Sequence, residues 1–408
     1  MDSKNLKDHK QIGQELELFF THDYAPGAPF WLPKGMVIFK ELEKYIRELT
    51  EKAGYVETST PIMVNSELFV QSGHFSKFGE TNMYNLTLSD DENDKHPKNY
   101  SLKPMNCPES TILFRFRPRT YKELPLRLAE IGRLHRKEKS GEVNGLLRVR
   151  QLTMDDAHIY VRESQIFDEV SNILDMMKTF YDNFGFEYEF RFATRPEKRA
   201  GTDAMWDKAE KDLAEVLKKK GIKAGDKKGD GAFYGPKIDL HIKDALGREW
   251  QLATVQVDFW MPQAFDLKYV NEKGEFEKPV MIHRAIFGSF ERFIGILTEH
   301  YQGAFPLWLS PVQVALLPIT DEQNSYGEKL LKKVAEKEIR VELDTRSERL
   351  QAKIRDATLQ KVPFLGIIGK QEVENNTISV RTREGKDLGQ LKDSQFLDKL
   401  IQEIDKKI

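Results

Sequence analysis

The chain contains one cysteine, Cys107, within the segment SLKPMNCPES (residues 101–110). A lone cysteine cannot form a disulfide within its own chain, so it either packs as a small apolar side chain or has a chemical role. The N-terminal sequence MDSKNLKDHKQ has neither the apolar stretch of a signal peptide nor the Arg-rich character of a transit peptide. Together with the single thiol, it predicts a reducing, cytoplasmic setting.

A second group of reactive side chains follows the predicted strand 146–161. Alternate residues of a strand share one face, which here carries Arg148, Arg150, Met154, Asp156 and His158. Solvated outer faces have a similar composition. The preceding strand, however, leads into a loop that begins with Arg136 and Glu138. Guanidinium groups bind phosphate oxygens and a carboxylate accepts from an amino group, so the two strands favour a nucleotide site.

The elements that must position these residues are predicted from hydrophobic periodicity. Helices are expected at 36–54, 164–184, 203–220 and 284–300, and extended segments at 55–63, 126–136, 146–161, 237–242 and 248–259. The polar stretch 89–99 is expected to be a hairpin loop. From residue 312 strands and helices alternate, which indicates an α/β domain with a largely parallel sheet. We therefore predict an α+β domain at 1–308 and a smaller α/β domain at 309–408.

Composition limits the function classes. Lys and Arg total 63 against 65 Asp and Glu, so the net charge of −2 neither indicates nor excludes RNA binding. Hydrophobic residues make up 39% of the chain. No run of about 18 apolar residues occurs, so we expect no membrane association.

Three segments resemble the motifs of the class II aminoacyl-tRNA synthetases. GYVETSTPIM (54–63) resembles motif 1 with Pro61, Arg136-Lys-Glu138 with Arg148 resembles motif 2, and FGSFERF (287–293) resembles motif 3 with Arg292. KPMNCP, MDDAHIYV and MIHRAIFGSFER, in this order, are similar to the threonyl-tRNA synthetases, and the resemblance runs from about residue 8 to the C-terminus. It implies an antiparallel sheet flanked by helices, then an anticodon-binding domain. The implied activity is ATP-dependent formation of threonyl-adenylate and transfer of threonine to tRNA(Thr).

The resemblance also assigns site residues. It implies one zinc per chain on Cys107, His158 and His283, and Mg²⁺ accompanying ATP. The implied ATP-binding residues are Arg136, Glu138, Arg148, Gln251, Thr254 and Arg292. The implied amino-acid-binding residues are Met105, Asp156, Tyr234, Gln256 and Ser289. Catalytic roles are implied for Arg136, Lys237 and Arg292, and for His74 in deprotonating the tRNA ribose. The alternative interpretations are strand packing for Tyr234 and a solvated loop position for His74.

In the second domain, Glu372 and Arg381 match positions that contact the anticodon, although surface charge would explain them equally. Three positions depart from the family: Leu152 replaces a stacking Phe, Met154 a Gln and Ser347 an Asn. The motif 1 segment 36–63 implies a homodimer. Because the resemblance begins near residue 8, we expect no N-terminal editing module and therefore no hydrolysis of seryl-tRNA.

Other functions remain open at this stage. A non-catalytic synthetase paralogue that binds tRNA-like RNA would be expected to lose motif arginines. A zinc hydrolase would need a general base beside a metal-bound water. A seryl or prolyl synthetase would not be expected to carry the Cys/His/His set.

Overall fold

The computed structural model describes residues 6–89 and 97–407. The predicted hairpin loop at 89–99 lies mostly outside these ranges. Within them the α-helices are α1 (His9–Glu15), α2 (Pro33–Lys52), α3 (Glu67–Gln71), α4 (His74–Asn82), α5 (Cys107–Arg115), α6 (Ile166–Phe184), α7 (Asp203–Lys219), α8 (Trp260–Ala264), α9 (Phe290–His300), α10 (Asn324–Ala335), α11 (Leu350–Leu359), α12 (Lys370–Asn375) and α13 (Asp393–Asp405). None of the described helices is long and apolar enough to cross a membrane.

The described strands fall into one large sheet, one of intermediate size and several small ones. In chain order they are β1 (Phe19–Phe20), β2 (Phe30–Trp31), β3 (Val56–Glu57), β4 (Met63–Asn65), β5 (Tyr84–Leu88), β6 (Lys98–Leu102), β7 (Arg119–Thr120), β8 (Leu126–His135), β9 (Gln151–Val161), β10 (Tyr188–Ala193), β11 (Ala224–Lys227), β12 (Lys237–Lys243), β13 (Glu249–Asp258), β14 (Tyr269–Val270), β15 (Phe276–Glu277), β16 (Val280–Ser289), β17 (Val314–Pro318), β18 (Val341–Leu343), β19 (Phe364–Ile368), β20 (Thr377–Thr382) and β21 (Asp387–Lys392).

The large sheet has eight strands in the order β11-β10-β12-β13-β16-β9-β8-β3. Its central pairings are antiparallel, and only the outermost strands, β11 and β3, pair in parallel. Helix α6 packs against the sheet through residues such as Phe180 and Tyr181, which are fully buried. This is the α+β arrangement expected for the first domain, and β3, within the extended segment expected at 55–63, forms one edge of the sheet.

The C-terminal sheet has five strands in the order β18-β17-β19-β20-β21. Strands β17, β18 and β19 are parallel, whereas β20 and β21 are antiparallel to their neighbours. The prediction of a largely parallel sheet was therefore wrong for half of the pairings. Strand β21 is a hairpin partner of β20 that the sequence did not reveal, because its burial alternates weakly.

Two further expectations about element boundaries were wrong. Residues 284–289 belong to strand β16 and not to the helix, which begins at Phe290. Strand β9 begins at Gln151, so Arg148 and Arg150 lie in the preceding turn and not on the strand face. In both cases the side-chain pattern continues across the point where the secondary structure changes, so the pattern alone does not show the boundary.

By backbone contacts the chain separates into two compact units. One contains residues 23–29 and 43–293, including the whole large sheet; the other contains the described residues up to 22, residues 30–42 and residues from 294 onward. Within the second unit, the Arg340 guanidinium binds Glu41 at 2.6 Å and two backbone carbonyls. The domain boundary near residue 308 stays a prediction.

Candidate functional site

A cavity of about 180 Å³ lies on one face of the large sheet. Its wall is formed by strands β9, β13 and β16, the start of α4 and α5, and the segment before β12. The residues expected in the site that line this cavity are His74, Met105, Cys107, Arg136, Asp156, Tyr234, Thr254, Gln256 and His283. Met154, which stands where the family usually has a Gln, lines it as well. The structure therefore brings together side chains spread from residue 74 to residue 283.

Two of the lining residues, Cys107 and His283, form a metal-type cluster with the buried His158 of β9. One ligand atom from each of Cys107, His158 and His283 lies within 4.8 Å of the other two. His158 and His283 face each other because they are paired across β9 and β16. Cys107 is the first residue of α5 and is buried. Sequence spacing could not have shown this, since the three residues belong to three separate elements.

The chemistry of this cluster fits a zinc ion. His158 Nε2 and His283 Nδ1 are buried, and among the described residues neither has a hydrogen-bond partner. Burial, with added repulsion from His283, Arg284 and Lys103, holds the pKa of His158 well below its usual value. This favours the neutral imidazole, which is the metal-binding form. One thiol and two imidazoles are a zinc-type donor set that leaves an open coordination position.

The surroundings of the thiol disfavour its ionised form. Burial raises the pKa of Cys107 well above its usual value, and the nearby carboxylates of Asp156, Glu109 and Asp258 add to the effect. A divalent cation would reverse this balance, because a coordinating thiol loses its proton. The protein environment therefore disfavours the thiolate unless a metal is bound.

Two carboxylates border the cluster. Asp258 Oδ2 lies 2.8 Å from His283 Nε2, and Asp258 Oδ1 accepts from the backbone N–H groups of Trp260 and Met261. This contact fixes the imidazole so that Nδ1 faces the cluster. Asp156 Oδ2 accepts from Asn106 Nδ2 at 3.0 Å. Burial raises the pKa of Asp156, and Asn106, His283, Arg284 and Arg136 oppose the rise.

Another part of the cavity wall is formed by aromatic and amide side chains. The ring of Tyr234 stacks on His283 with centroids 4.7 Å apart, and its hydroxyl donates to Gln256 Oε1 at 2.7 Å. Gln256 Nε2 in turn donates to Thr254 Oγ1. His74 is buried at the start of α4, not solvated on a loop, and its Nδ1 lies 2.8 Å from Ser72 Oγ. Tyr234 is thus tied into the cavity wall by its hydroxyl as well as by packing.

Three arginines lie beside the cavity. Arg136 donates to the Pro104 carbonyl and, among the described residues, forms no salt bridge. Arg292 donates to the Leu147 carbonyl and lies over the Trp250 ring at 5.5 Å. Burial lowers the pKa of Arg292, and the charges of Arg136 and Arg148 lower it further. Such concentrated positive charge suits a polyanionic ligand.

Arg148 is the exposed member of this group. It binds the Glu138 carboxylate through Nε (3.0 Å) and Nη2 (2.7 Å), and Nη2 also lies 2.8 Å from Glu142. Glu138 and Arg148, which were both assigned to motif 2, are therefore in contact, although Arg148 lies before the start of strand β9.

The remaining predicted residues lie next to the cavity without lining it. Lys237 is paired with Gln256 across β12 and β13 and forms a close ion pair with Asp239. Ser289 ends β16, and its hydroxyl accepts from the Arg292 N–H. Gln251 lies beyond a bulge between β12 and β13, and its carbonyl accepts from Arg292. Leu152 is buried with Leu134 and Val149, so it packs in an aliphatic cluster.

The predicted anticodon residues occupy the five-stranded sheet region. Glu372 lies in α12 and accepts from the Gly369 N–H, Ser379 Oγ and Gln390 Nε2. Burial acts to raise the pKa of Glu372, but these hydrogen bonds outweigh it and the pKa is lowered. Arg381 lies on the same face of β20 as Ser379. Ser347 is exposed in the loop before α11.

Sequence reasoning missed Asn106, Asp258 and Trp250. Asn106 directly precedes Cys107, and Asp258 is the last residue of β13, between two apolar residues. A polar residue in such a position is a weak indication of a functional contact. Trp250 offered none, because its role depends on the position of Arg292. These residues act through partners from other strands.

Two known protein families match the chain, one over the part with the large sheet and one over the part with the five-stranded sheet. The tRNA synthetase class II core domain family (G, H, P, S and T) matches residues 84–301, which is more than half of the chain. The chain belongs to the class II tRNA synthetases. The anticodon binding domain family matches residues 313–403, which contain the five-stranded sheet.

Relatives of this class II synthetase share its sequence along the whole chain. It is 47% identical to the threonine–tRNA ligase of Carboxydothermus hydrogenoformans over 407 residues and 48% identical to that of Clostridium tetani over 408 residues. These matches cover 100% of this chain and 63% of each relative, so the chain spans about 63% of their length. A crystal structure described as the RNA binding domain of threonyl-tRNA synthetase from Cryptosporidium parvum superimposes with a TM-score of 0.92 at 36% identity. It covers 97% of this chain and 98% of that one.

Proposed function

We propose that this class II synthetase is a threonine–tRNA ligase, which activates L-threonine with ATP and transfers it to tRNA(Thr). The observation that carries the proposal is the Cys107–His158–His283 cluster, two of whose members, Cys107 and His283, line a cavity that Asp156 and Arg136 also line. The cavity thus combines a zinc-type donor set, a carboxylate for an ammonium group and a guanidinium for a phosphate. The similarity to threonine–tRNA ligases supports the same assignment.

The proposed metal is one zinc per chain. Cys107, His158 and His283 would hold the zinc, and the coordination positions left free by these three ligands would take the amino and hydroxyl groups of the amino acid. Asp156, held by Asn106, would neutralise the ammonium charge. Tyr234 and Gln256 would enclose the side chain, with Met105 and Ser289 completing the amino-acid site.

The chain's arginines would handle ATP, which arrives with Mg²⁺. In the first step a carboxylate oxygen of threonine attacks the α-phosphorus and pyrophosphate leaves, so the catalyst must place the reactants and stabilise charge. Arg136 would bind the α-phosphate, Arg148 the outer phosphates and Arg292 the adenine ring. Glu138 would accept from the adenine amino group after exchanging its contact with Arg148. Gln251 and Thr254 would complete the nucleotide site, and Lys237 would act as a catalytic residue together with Arg136 and Arg292.

The second step requires tRNA at both domains. His74, buried beside Tyr234 and oriented by Ser72, is the proposed base for the terminal ribose. Glu372 and Arg381 are the proposed anticodon contacts. A cytoplasmic setting completes the proposal and is tested by fractionating cells that produce the tagged chain; recovery with membranes or in the medium would contradict it.

The decisive experiment is pyrophosphate exchange with each of the twenty amino acids. We expect threonine to give the highest kcat/KM, with serine about 10–200-fold lower because it lacks one methyl group. Valine lacks the hydroxyl and leaves the site's polar groups unpaired, so it should be about 10⁴–10⁵-fold lower. Exchange with no amino acid, together with tRNA binding, would favour the non-catalytic paralogue.

A further inference from the structure

Strand β16 leaves regular pairing immediately before α9. Ala285 is paired with Asp156 and Ser289 is paired with Met154, so three residues of β16 stand opposite the single residue Asp155 of β9. These three residues are Ile286, Phe287 and Gly288. Their backbone N–H groups have lost their regular ladder partners and are buried, so they need other acceptors.

The Asp155 side chain supplies those acceptors. Its carboxylate accepts from the N–H groups of Ile286 at 2.7 Å, Phe287 at 3.3 Å and Gly288 at 2.9 Å. The side chain is fully shielded from solvent. One carboxylate therefore holds every residue of the bulge.

Arg284 secures Asp155 from the other side. Its Nη1 donates to the Asp155 carbonyl at 2.8 Å and lies 3.5 Å from the carboxylate. The Tyr55 ring covers the guanidinium at 4.7 Å. Burial raises the pKa of Asp155 to about 7, while Arg284 and the three N–H groups lower it. Three N–H donors and the Arg284 guanidinium are directed at the group, an arrangement that favours the ionised carboxylate as acceptor.

The Ile286–Gly288 bulge directly precedes the residues of motif 3 that are proposed to bind the nucleotide. Gly288 has a φ of +80°, and a Cβ there would lie 3.0 Å from the Leu252 carbonyl, so the backbone passes close to β13. The next residue, Ser289, caps the N–H of Arg292, whose guanidinium lies over Trp250. A shift of the bulge would move Arg292 directly.

We propose that Asp155 is a positioning residue for ATP: by holding the Ile286–Gly288 bulge, it fixes the junction that aims Arg292 at the nucleotide. The inference rests on the proposed function for its ligand. It does not involve the metal cluster, whose ligand on β16, His283, precedes the bulge and is oriented by Asp258.

The test is Asp155→Asn, which keeps the size of the side chain but replaces one acceptor oxygen with a donor. Arg292 displaced from the adenine ring would lose its cation–π contact with the nucleotide, so we expect the ATP dissociation constant to rise at least about tenfold. It is measured by calorimetry with a non-hydrolysable ATP analogue, alongside zinc content and the KM for threonine. Both of the latter should stay within about twofold, which separates loss of positioning from loss of folded protein.

The matched control is Glu169→Gln. Glu169 is also buried, and it binds Arg127 Nε at 2.7 Å in the same unit without touching the bulge. It should lower thermal stability without changing ATP affinity. If Asp155→Asn does not fold, the ATP dissociation constant is measured on Gly288→Ala instead. This substitution displaces the same bulge and leaves the Asp155 carboxylate in place.

Wild-type ATP affinity in folded Asp155→Asn would overturn the inference, as would equal loss of ATP and zinc binding. If only Gly288→Ala folds, wild-type ATP affinity in that variant would overturn it and weakened affinity would support it. Wild-type protein that binds ATP without threonine-dependent exchange would refute the proposed function alone. Wild-type protein that does not bind ATP would overturn both.

Discussion

The chemistry of the proposed site depends on how single polar side chains are oriented. Asp258 is buried and has both oxygens occupied, one by two backbone N–H groups and the other by His283. It therefore cannot rotate away from the imidazole, and His283 Nδ1 stays directed at the cluster. A fixed carboxylate of this kind commonly raises the affinity of a histidine for metal.

We predict that Asp258→Asn weakens zinc binding about 10–100-fold, because the amide orients the ring less firmly. Competition with a zinc-binding dye measures the change. Asp244→Asn is the control, since Asp244 is equally buried and accepts from the N–H groups of Leu246 and Arg248 away from the cluster. Equal zinc affinity in Asp258→Asn and the wild type would show that the carboxylate has no part in the site.

At the scale of elements, close approaches between strands and helices place the functional side chains. Gly132 of β8 leaves the space that Asn106, at the start of α5, occupies when it donates to Asp156. An added Cβ at Gly132 would overlap the Asn106 amide. The glycine therefore contributes to the amino-acid site without lining it.

Gly132→Ala should consequently raise the KM for threonine and leave the KM for ATP unchanged. A hydrogen bond to a charged group contributes about 1.5–3 kcal/mol, which corresponds to about 10–100-fold. Steady-state pyrophosphate exchange gives both constants. Gly141→Ala serves as control because a Cβ there meets no atom within 4 Å. Parallel increases in both constants would mean that the strand itself, rather than the Asn106 contact, has been disturbed.

The limits of sequence reasoning also appear at this scale. The helix 36–54 and the strand 126–136 were predicted correctly because their apolar periodicity is continuous. The end of β16 was missed because the apolar residues of RAIFGSFERF recur at a spacing that also suits a helix, and the irregular backbone there is held by Asp155 from another strand. The cluster residues His158 and His283 were found only through family resemblance. Their proximity arises from strand register, which the sequence does not display.

At the scale of the whole molecule, the two functions of a synthetase fall on different parts of the chain. The proposed activation site lies within residues matched by the class II core, and the proposed anticodon contacts lie within residues matched by the anticodon binding domain. Perturbing the second part should therefore affect tRNA charging alone.

We predict that Arg381→Ala raises the KM for tRNA(Thr) in aminoacylation at least about threefold, while pyrophosphate exchange stays unchanged. Arg381 Nε has no hydrogen-bond partner among the described residues, so the guanidinium has an unused donor for a base or phosphate oxygen. Arg355→Ala, which removes an exposed arginine of α11, is the control. A loss of exchange activity in Arg381→Ala would contradict the separation of roles.

The predicted homodimer is tested on the intact chain. The segment 36–63 forms helix α2 and the edge strand β3, and Val56 and Ile62 are exposed there. Such a surface suits an isologous contact between two copies. Light scattering at micromolar concentration should give twice the mass of one chain, and the mass of a single chain would contradict the prediction.

The central claim, that threonine is activated at the Cys107–His158–His283 cluster, is tested most directly by threonine-dependent pyrophosphate exchange in zinc-stripped and zinc-restored protein. We predict that exchange falls to background when the metal is removed and returns when about one zinc per chain is restored, because the cluster would supply three protein ligands to one zinc ion. Cys107→Ser should stay folded yet not recover with zinc. Full exchange in metal-free protein, or in Cys107→Ser without zinc, would contradict the account.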